Sequence, residues 1–297
     1  MSIVCLGEAL VDLIGSPRGK IARRYEVHFG GALANVAVAA ARAGAPAALA
    51  GGVGTDEFGS YLRTVLEREE VDTARLTSIE HLTTPYAFVH LEDHGEPRYR
   101  IGGDAIESGL AALEGREPEI VAGADALIIG SNTLTSDPGR AVTLAAVAEA
   151  GRASVPVLFD PNLRPGRWAD LETGLDRCRA LIPSCDLVKC NRWEAGMLVG
   201  RPEADSDSAA AAMAALGARL AIVTAVLEAA VAAGAGTASC VPPPVPDPQP
   251  IGAGDAVMGT LAAGLWKRGW QLERIGEALP EAVAAGAEAC GRTGAIA

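Results

Sequence analysis

The chain has 297 residues, of which 49% are hydrophobic and 21% charged, and its formal net charge is -12. This composition indicates a soluble globular protein and argues against a disordered one. The negative charge argues against nucleic acid as a partner, because such binding needs a concentration of Lys and Arg.

Short apolar runs alternate along the chain with Ala-rich stretches. The runs are typical of buried strands and lie at residues 3–6, 126–129, 155–159, 187–190 and 220–223. The Ala-rich stretches have helical character and lie at 32–43, 139–150 and 208–217. This alternation predicts an α/β fold with a mainly parallel sheet and helices on both faces.

Two irregular segments, at residues 12–29 and 85–101, interrupt the alternation. The second holds an apolar run, a turn at 93–95 and a polar run after it, which together predict a hairpin. We expect the two segments to form a small lid over a main domain that spans residues 1–297. The Pro-rich stretch at 241–250 predicts an extended edge or loop, because proline cannot donate to a strand ladder.

The sequence also predicts a cytoplasmic location. Glu8 and Asp12 interrupt the first apolar stretch, so no secretory signal is expected. No uninterrupted apolar run reaches the roughly 20 residues of a membrane span, so no membrane partner is expected. Six scattered cysteines without a CxxC pair favour buried thiols in a reducing compartment.

Polar residues follow three of the predicted strands. They are Asp160 with Asn162, Asn191 with Glu194, and Thr224. In parallel sheets ligands bind beyond the carboxyl ends of the strands, so these residues indicate a site. Each of them alone could equally be a turn former or a helix cap.

The run Gly252-Ala253-Gly254-Asp255 precedes a helical pattern near the end of the chain. Small residues at a helix start let successive N–H groups point at one spot, which suits a transferring phosphoryl group. Asp255, in the first turn, could accept the proton of an attacking hydroxyl. On these four residues alone, a purely electrostatic role for Asp255 at the helix start is equally good.

Upstream residues supply candidate substrate contacts. Gly30 and Gly31 form a tight turn where a ligand can approach the backbone, and Asn35 lies one turn into the next helix. Asp12 could hold two neighbouring sugar hydroxyls, and Arg164 could place a forked cation on substrate or phosphate. Alternatively, Asn35 could be a buried residue that satisfies backbone groups, and Asp12 could be a turn former. Arg164 could form a surface salt bridge.

Six motifs in order resemble the ribokinase-like, or PfkB, family of carbohydrate kinases. They cover nearly the whole chain and are GEALVDLI at 7–14, GGALANVA at 30–37, GVGTDEFG at 52–59, DPNLR at 160–164, NRWE at 191–194 and GAGD at 252–255. The element at 160–164, with Trp168 beyond it, is similar to the fructokinase branch. The resemblance implies a three-layer α/β/α sandwich with a small β lid, which in many members pairs subunits into homodimers.

The family pattern implies a role for each matching residue. Asp255 is the implied base, and the backbone of Gly252, Ala253 and Gly254 is the implied γ-phosphoryl site. The implied donor-side residues are Asn191, Glu194 and Thr224, with ATP as donor and Mg²⁺ held by Glu194 through water. The implied sugar contacts are Asp12, Gly30, Gly31, Asn35 and Arg164.

Two departures from the family pattern concern the donor side. The family usually carries T-x-G-x-x-G where this chain has Thr224, and Val226 and Ala229 stand in place of the two glycines. Side chains at those positions are expected to crowd the nucleotide or to force another loop. Before Gly252, Gln249-Pro250-Ile251 replaces an Asp-Thr-Thr/Ile pattern. The departures leave ATP affinity and activation by the monovalent cation K⁺ open.

The leading hypothesis is therefore ATP-dependent phosphorylation of a sugar hydroxyl, with fructose giving fructose 6-phosphate. One alternative is a kinase for 2-keto-3-deoxygluconate or another sugar. A second is a phosphosugar kinase in which Arg98, Arg100 or Arg164 binds a substrate phosphate. The third, from a different class, is a sugar-binding kinase homologue with a degraded nucleotide site.

Overall fold

The computed structural model describes residues 2–16, 22–91, 97–103, 106–225, 228–246, 251–292 and 294. The strands are β1 (Ser2–Leu6), β2 (Leu10–Ser16), β3 (Arg24–Gly30), β4 (Ala47–Gly54), β5 (Val71–Asp72), β6 (Leu76–Ile79), β7 (Tyr86–Leu91), β8 (Pro97–Gly102), β9 (Ala124–Gly130), β10 (Val157–Asp160), β11 (Leu187–Asn191), β12 (Leu220–Thr224), β13 (Ala230–Gly234) and β14 (Ala238–Cys240). The helices are α1 (Ala32–Arg42), α2 (Glu57–Arg68), α3 (Ile106–Ala111), α4 (Glu117–Val121), α5 (Asp137–Ala153), α6 (Leu171–Leu181), α7 (Arg192–Leu198), α8 (Ser206–Ala215), α9 (Ala253–Trp266) and α10 (Ile275–Cys290).

The larger sheet has the order β14-β13-β12-β11-β10-β9-β1-β4-β5, with β6 also paired to β4. Its strands pair in parallel from β12 to β5, and β13 and β14 extend it as antiparallel strands. The chain moves from β1 to β4 on one side and returns to β9 on the other. The strand order therefore reverses between β1 and β9, the kind of point where α/β sheets bind ligands.

Both faces of the larger sheet are covered by helices. In β1, Val4 and Leu6 belong to one buried cluster, with α5, α6 and α8, while Ile3 and Cys5 belong to the other, with α1, α9 and α10. This two-sided burial explains why β1 is an uninterrupted apolar run, since every residue packs against a helix layer. The predicted three-layer α/β/α class is confirmed by this architecture and by the structural neighbours reported below.

The smaller sheet has the order β3-β2-β7-β8, with β2 and β7 parallel and the outer pairs antiparallel. Its strands come from the two segments expected to form the lid. The predicted turn at residues 93–95 lies outside the described residues. That residues 1–297 form a single domain stays a prediction.

Within the described ranges, no helix combines the length and the apolar character that a bilayer crossing requires. The cysteines are unpaired, and Cys5, Cys178, Cys185 and Cys190 are buried, as expected for thiols that pack as small apolar side chains.

Candidate active site

The N-terminus of α9 provides N–H groups that no side chain among the described residues caps. Gly252 precedes the helix with φ 75°, a left-handed conformation that glycine adopts without strain. The first N–H groups of an α-helix have no partner within the helix, and the helix dipole adds partial positive charge there. The start of α9, at Ala253 and Gly254, can therefore hold an anion even though the protein carries a net charge of -12.

Asp255 lies in the first turn of α9 and is buried. Its Oδ2 accepts a hydrogen bond from Asn35 Nδ2 at 2.8 Å, and its Oδ1 accepts one from Asn162 Nδ2 at 3.3 Å. The pKa of Asp255 is raised to about 7, mainly by burial and also by the charge of Asp160. The hydrogen bond from Asn35 and the charges of nearby cations lower it. A carboxyl with a pKa near neutrality is well suited to take a proton from a hydroxyl.

Two cavities meet at Asp255, one of about 390 Å³ and one of about 280 Å³. The residues that line both are Tyr99, Asn162, Arg164, Gly252 and Asp255. The larger cavity lies towards the ends of β11 and β12, and the smaller one lies between the lid and the start of α1. The arrangement suits the transfer of a group between two ligands.

Most of the predicted substrate residues line the smaller cavity, namely Asp12, Gly31, Asn35 and Arg164. Gly30 does not line it but makes room for Asp12, because a Cβ on Gly30 would lie 2.4 Å from Asp12 Oδ2. Gly31 has φ 100°, and a Cβ there would lie 2.6 Å from the backbone oxygen of Glu8.

Asp12 and Arg164 both line the smaller cavity, and their charges interact. The pKa of Asp12 is raised to about 7, mainly by burial and also by the charge of Asp255, while the charge of Arg164 lowers it. The Arg164 guanidinium lies over the Tyr99 ring, 5.5 Å from its centroid, in cation–π geometry. The stacking holds the guanidinium beside both carboxylates.

The predicted donor-side residues line the larger cavity. Asn191 and Glu194 form a capping box at the start of α7, in which each side chain accepts from the other's backbone N–H. Glu194 Oε2 accepts from Asn191 N at 2.9 Å, and Oε1 accepts from Leu163 N at 2.8 Å. Burial raises the pKa of Glu194, as does the charge of Asp160. Thr224 ends β12 at the rim of this cavity.

A buried lysine that the sequence reasoning missed joins the donor side to α9. Lys189 Nζ donates to Asp160 Oδ2 at 2.7 Å and to the backbone oxygen of Gly254 at 3.1 Å. Burial opposes its charge, but Asp160 and Glu194 raise the pKa of Lys189 above its usual value. A lysine inside an otherwise apolar strand was the available signal, because lysines are almost never buried without a partner.

Other residues of the smaller cavity were also missed as site residues. They are Glu8, Tyr99, Asn132 and Arg167, whereas Asn162, which also lines this cavity, was among the polar residues expected to indicate a site. Glu8 and Asn132 each stand two residues beyond a strand, β1 and β9, and that position was a usable signal.

Of the departures from the family pattern, Ala229 lies immediately before β13, whereas Val226 and Asp247-Pro248-Gln249-Pro250 lie outside the described residues. Glu228 lines the larger cavity, and both of its carboxylate oxygens lie 2.7 Å from Arg192 Nη1. The region where glycines were expected therefore contains an ion pair at the cavity mouth.

Comparison with known proteins agrees with this geometry. The model of the pfkB family of carbohydrate kinases matches residues 1–297. The chain belongs to this family. A fructokinase from Klebsiella pneumoniae is 34% identical over 275 residues, which cover 89% of this chain and 84% of that protein. A fructokinase from Salmonella typhimurium is 33% identical over 189 residues, covering 64% of this chain and 60% of that protein.

Solved structures of pfkB-type sugar kinases superimpose on nearly the whole chain. A fructokinase from Xylella fastidiosa with bound ATP has a TM-score of 0.85 at 27% identity and covers 99% of this chain and 93% of its own. A fructokinase from Vibrio cholerae O395 with fructose, ADP and calcium ion has a TM-score of 0.86 at 29% identity, with coverages of 100% and 95%. The predicted family is confirmed, while the roles of the individual site residues stay predictions.

Proposed function

We propose that this pfkB-family protein is a sugar kinase that binds a sugar in the smaller cavity and ATP in the larger one. The observation that carries the proposal is the place of Asp255, where the two cavities meet and at the uncapped start of α9. A hydroxyl bound on one side and a phosphoryl group on the other would both lie beside this carboxylate.

In the proposed reaction the Asp255 carboxylate accepts the proton of the sugar hydroxyl as its oxygen attacks the γ-phosphorus of ATP. The bond from phosphorus to the ADP oxygen breaks, and ADP leaves. Backbone N–H groups at Gly252, Ala253 and Gly254 stabilise the negative charge on the transferring group. Lys189, held against the Gly254 carbonyl, keeps this turn in position.

Asp12 and Asn35 are the proposed sugar ligands nearest Asp255, together with the backbone of the turn at Gly30 and Gly31. Asp12 offers two carboxylate oxygens to neighbouring hydroxyls. Asn35 gives its amide N–H to Asp255, and its Oδ1 is buried without a partner among the described residues. That oxygen is available to accept a hydrogen bond from the sugar, so Asn35 can link the substrate to the base.

The residues beside the larger cavity fit Mg²⁺ held through water. Mg²⁺ in kinases usually binds one or two carboxylates, substrate phosphates and several waters. Asp160 Oδ1 is buried without a partner in the described part of the chain, and Asp160 and Glu194 both line this cavity. The Glu194 oxygens already accept backbone N–H bonds, which favours contact through water. Mg²⁺ would screen the charge of the triphosphate there, beside Asn191 and Thr224.

Charge in the smaller cavity favours a neutral sugar over a phosphosugar or a sugar acid. Arg167 is paired with Glu107 at 2.5 Å, and Arg164 faces Asp12 and Asp255. Both guanidinium groups therefore already have carboxylate neighbours, whereas an anionic substrate needs a cation of its own. Among neutral sugars we propose fructose, which the names of the relatives support.

An ADP-release assay tests this function. Purified protein with Mg-ATP is offered fructose, glucose, ribose, 2-keto-3-deoxygluconate, fructose 6-phosphate and adenosine. We expect the highest kcat/KM with fructose, and a loss of about 10²–10⁴-fold in kcat for Asp255→Asn, because the general base is removed. Turnover unchanged in that variant would remove Asp255 from the mechanism, and a better substrate in the panel would overturn fructose.

A second candidate function is sugar binding without phosphoryl transfer, and Ala229 at an expected glycine position favours it. Calorimetry separates the two candidates. Sugar binding with no detectable binding of Mg-ATP at millimolar concentration would support the second. Binding of both ligands would support the kinase.

We further propose that the protein is a cytoplasmic homodimer that pairs through the lid. Four side chains on the lid face opposite Asp12 are apolar and partly exposed, namely Leu13, Tyr25, Val27 and Phe88, and this face also carries His90, Arg98 and Arg100. Val27 is 51% exposed. An apolar patch of this kind is typical of a protein interface.

A further inference from the structure

Part of the smaller cavity that the larger one does not share is lined by Glu8, Asn132 and Arg167, here named the distal wall. Glu8 follows β1 and Asn132 follows β9, so they lie where the strand order of the larger sheet reverses. None of the three lines the larger cavity, whereas Asp255 lines both. A sugar whose reacting hydroxyl is at Asp255 would therefore turn its other end to the distal wall.

Glu8 has one engaged and one unengaged carboxylate oxygen. Oε1 accepts from Asn132 Nδ2 at 2.8 Å and from Ala32 N, the first residue of α1, at 3.1 Å. Oε2 is buried and has no partner among the described residues, and the whole residue is only 4% exposed. A buried acceptor without a donor is unfavourable, so a ligand that supplies a donor to Oε2 is favoured.

The surroundings of Glu8 indicate what kind of donor that ligand carries. Burial raises the pKa of Glu8, and the hydrogen bonds from Asn132, from its own backbone N–H and from Ala32, together with the charge of Arg167, partly oppose that rise. The carboxylate repels an anion, and the paired guanidinium of Arg167 next to it disfavours a cation. A neutral hydroxyl satisfies Oε2 without adding charge.

We propose that Glu8 is a specificity-determining residue of the sugar site, whose Oε2 accepts a hydrogen bond from a sugar hydroxyl other than the one that reacts. Asn132 is a positioning residue, because its amide holds Oε1 and so aims Oε2. This inference rests on the proposed function, since it assumes that the smaller cavity holds the sugar.

The test is calorimetric binding of fructose and of its 1-deoxy, 3-deoxy and 4-deoxy analogues to the full chain, without ATP. In Glu8→Gln the amide oxygen can keep the bonds to Ala32 and Asn132, while an NH₂ group replaces Oε2. We expect one analogue to bind the wild type roughly 10- to 100-fold more weakly than fructose, the range for a lost hydrogen bond to a charged group. Glu8→Gln should bind fructose more weakly by a similar factor and should no longer discriminate against that analogue.

A merely structural role gives a different pattern, in which Glu8→Gln weakens all four ligands equally and keeps the discrimination. That result would overturn the inference, and so would a wild type that binds every analogue as well as fructose. Asn132→Leu provides a second variant if Glu8→Gln does not fold, and it should lose part of the same discrimination. The matched control is Asp186→Asn, a carboxylate that accepts from Val157 N far from both cavities and should leave fructose binding unchanged.

Failure of the inference and failure of the proposed function give different results, because binding is measured without turnover. Fructose binding without ADP release would contradict the proposed kinase and still test Glu8. ADP release with an unchanged Glu8→Gln binding pattern would contradict the role of Glu8 alone. A wild type that binds none of the four sugars would contradict both.

Discussion

Asp255 and Asp12 approach the smaller cavity from α9 and from the lid, and burial raises the pKa of each to about 7. The charge of Asp255 adds to the rise at Asp12, so the two carboxyls influence each other's protonation. The ionised forms are the ones proposed to act, since one accepts a proton and the other accepts sugar hydroxyls. The proposed chemistry therefore requires the ionised carboxylates, whereas burial in the folded protein favours their protonated forms.

We expect kcat/KM for the sugar to rise as pH increases through about 7 and then to level off, because Asp255 and Asp12 lose their protons there. A pH–rate profile from pH 5 to 9 checks this. A profile that is flat across that interval would contradict a base with a raised pKa.

The free energy of unfolding should fall as pH rises through the same interval in which kcat/KM rises. A carboxyl whose pKa is raised in the folded state contributes stability that is present below its unfolded value, near 3.8, and lost as pH rises through about 7. Asp255→Asn, which cannot ionise, should therefore be more stable than the wild type at pH 8, on the order of a few kcal/mol, and similar to it near pH 4. Chemical denaturation at the two pH values measures the difference.

At the scale of elements, the close packing of α9 on α1 aligns Asp255 with Asn35. Gly259 of α9 lies directly on α1, and a Cβ there would lie 2.4 Å from the backbone oxygen of Val36 and 2.6 Å from Ala39 Cβ. Val36 follows Asn35, so a shift of the helices at this contact is transmitted to the hydrogen bond between Asn35 and Asp255.

We predict that Gly259→Ala destabilises the fold by about 1–3 kcal/mol, because a backbone contact leaves no room for the methyl group. The same change should lower kcat by moving Asp255. The matched control is Gly276→Ala in α10, where the nearest atom would be 3.9 Å away and alanine favours the helix. Thermal unfolding and ADP release measure both effects. Equal behaviour of the two variants would show that the α1–α9 contact is not tight.

The elements and the family could be predicted from the sequence, because each corresponds to a local pattern of residues. A strand that is buried on both faces, such as β1, is an apolar run, and the start of α9 at Gly252 is a run of small residues. The contacts between side chains far apart in the sequence could not be predicted. Asn35 and Asp255 are hydrogen-bonded although 220 residues separate them in the sequence, and Asn132 and Glu8 are hydrogen-bonded across 124 residues. One sequence records the residue types, but such pairs are defined only when the sheet order brings the strand ends together.

At the scale of the whole molecule, the lid has two chemically different faces. Asp12 and His28 are paired opposite each other and share the face towards the smaller cavity. Leu13 and Val27 are also paired, on the other face, where apolar side chains are exposed. One small sheet therefore carries the Asp12 carboxylate towards the proposed sugar site and exposed apolar side chains such as Val27 towards the proposed second subunit.

We predict that Val27→Glu converts the proposed dimer to a monomer, because the new carboxylate would be buried without a partner at the interface. Light scattering after gel filtration measures the mass. The control is Val241→Glu, at a residue that is 70% exposed away from the lid and should leave the mass unchanged. A wild type that is already monomeric at micromolar concentration would contradict the proposed dimer.

The two cavities share five lining residues, and each is otherwise lined by residues of its own. The proposed acceptor side uses the lid, the turn before α1 and the distal wall, whereas the proposed donor side uses the ends of β11 and β12 and the helix α10. Replacing side chains on one side leaves the other side's walls in place. The scaffold is therefore suited to protein engineering in which the sugar preference is redesigned while the phosphoryl donor is kept.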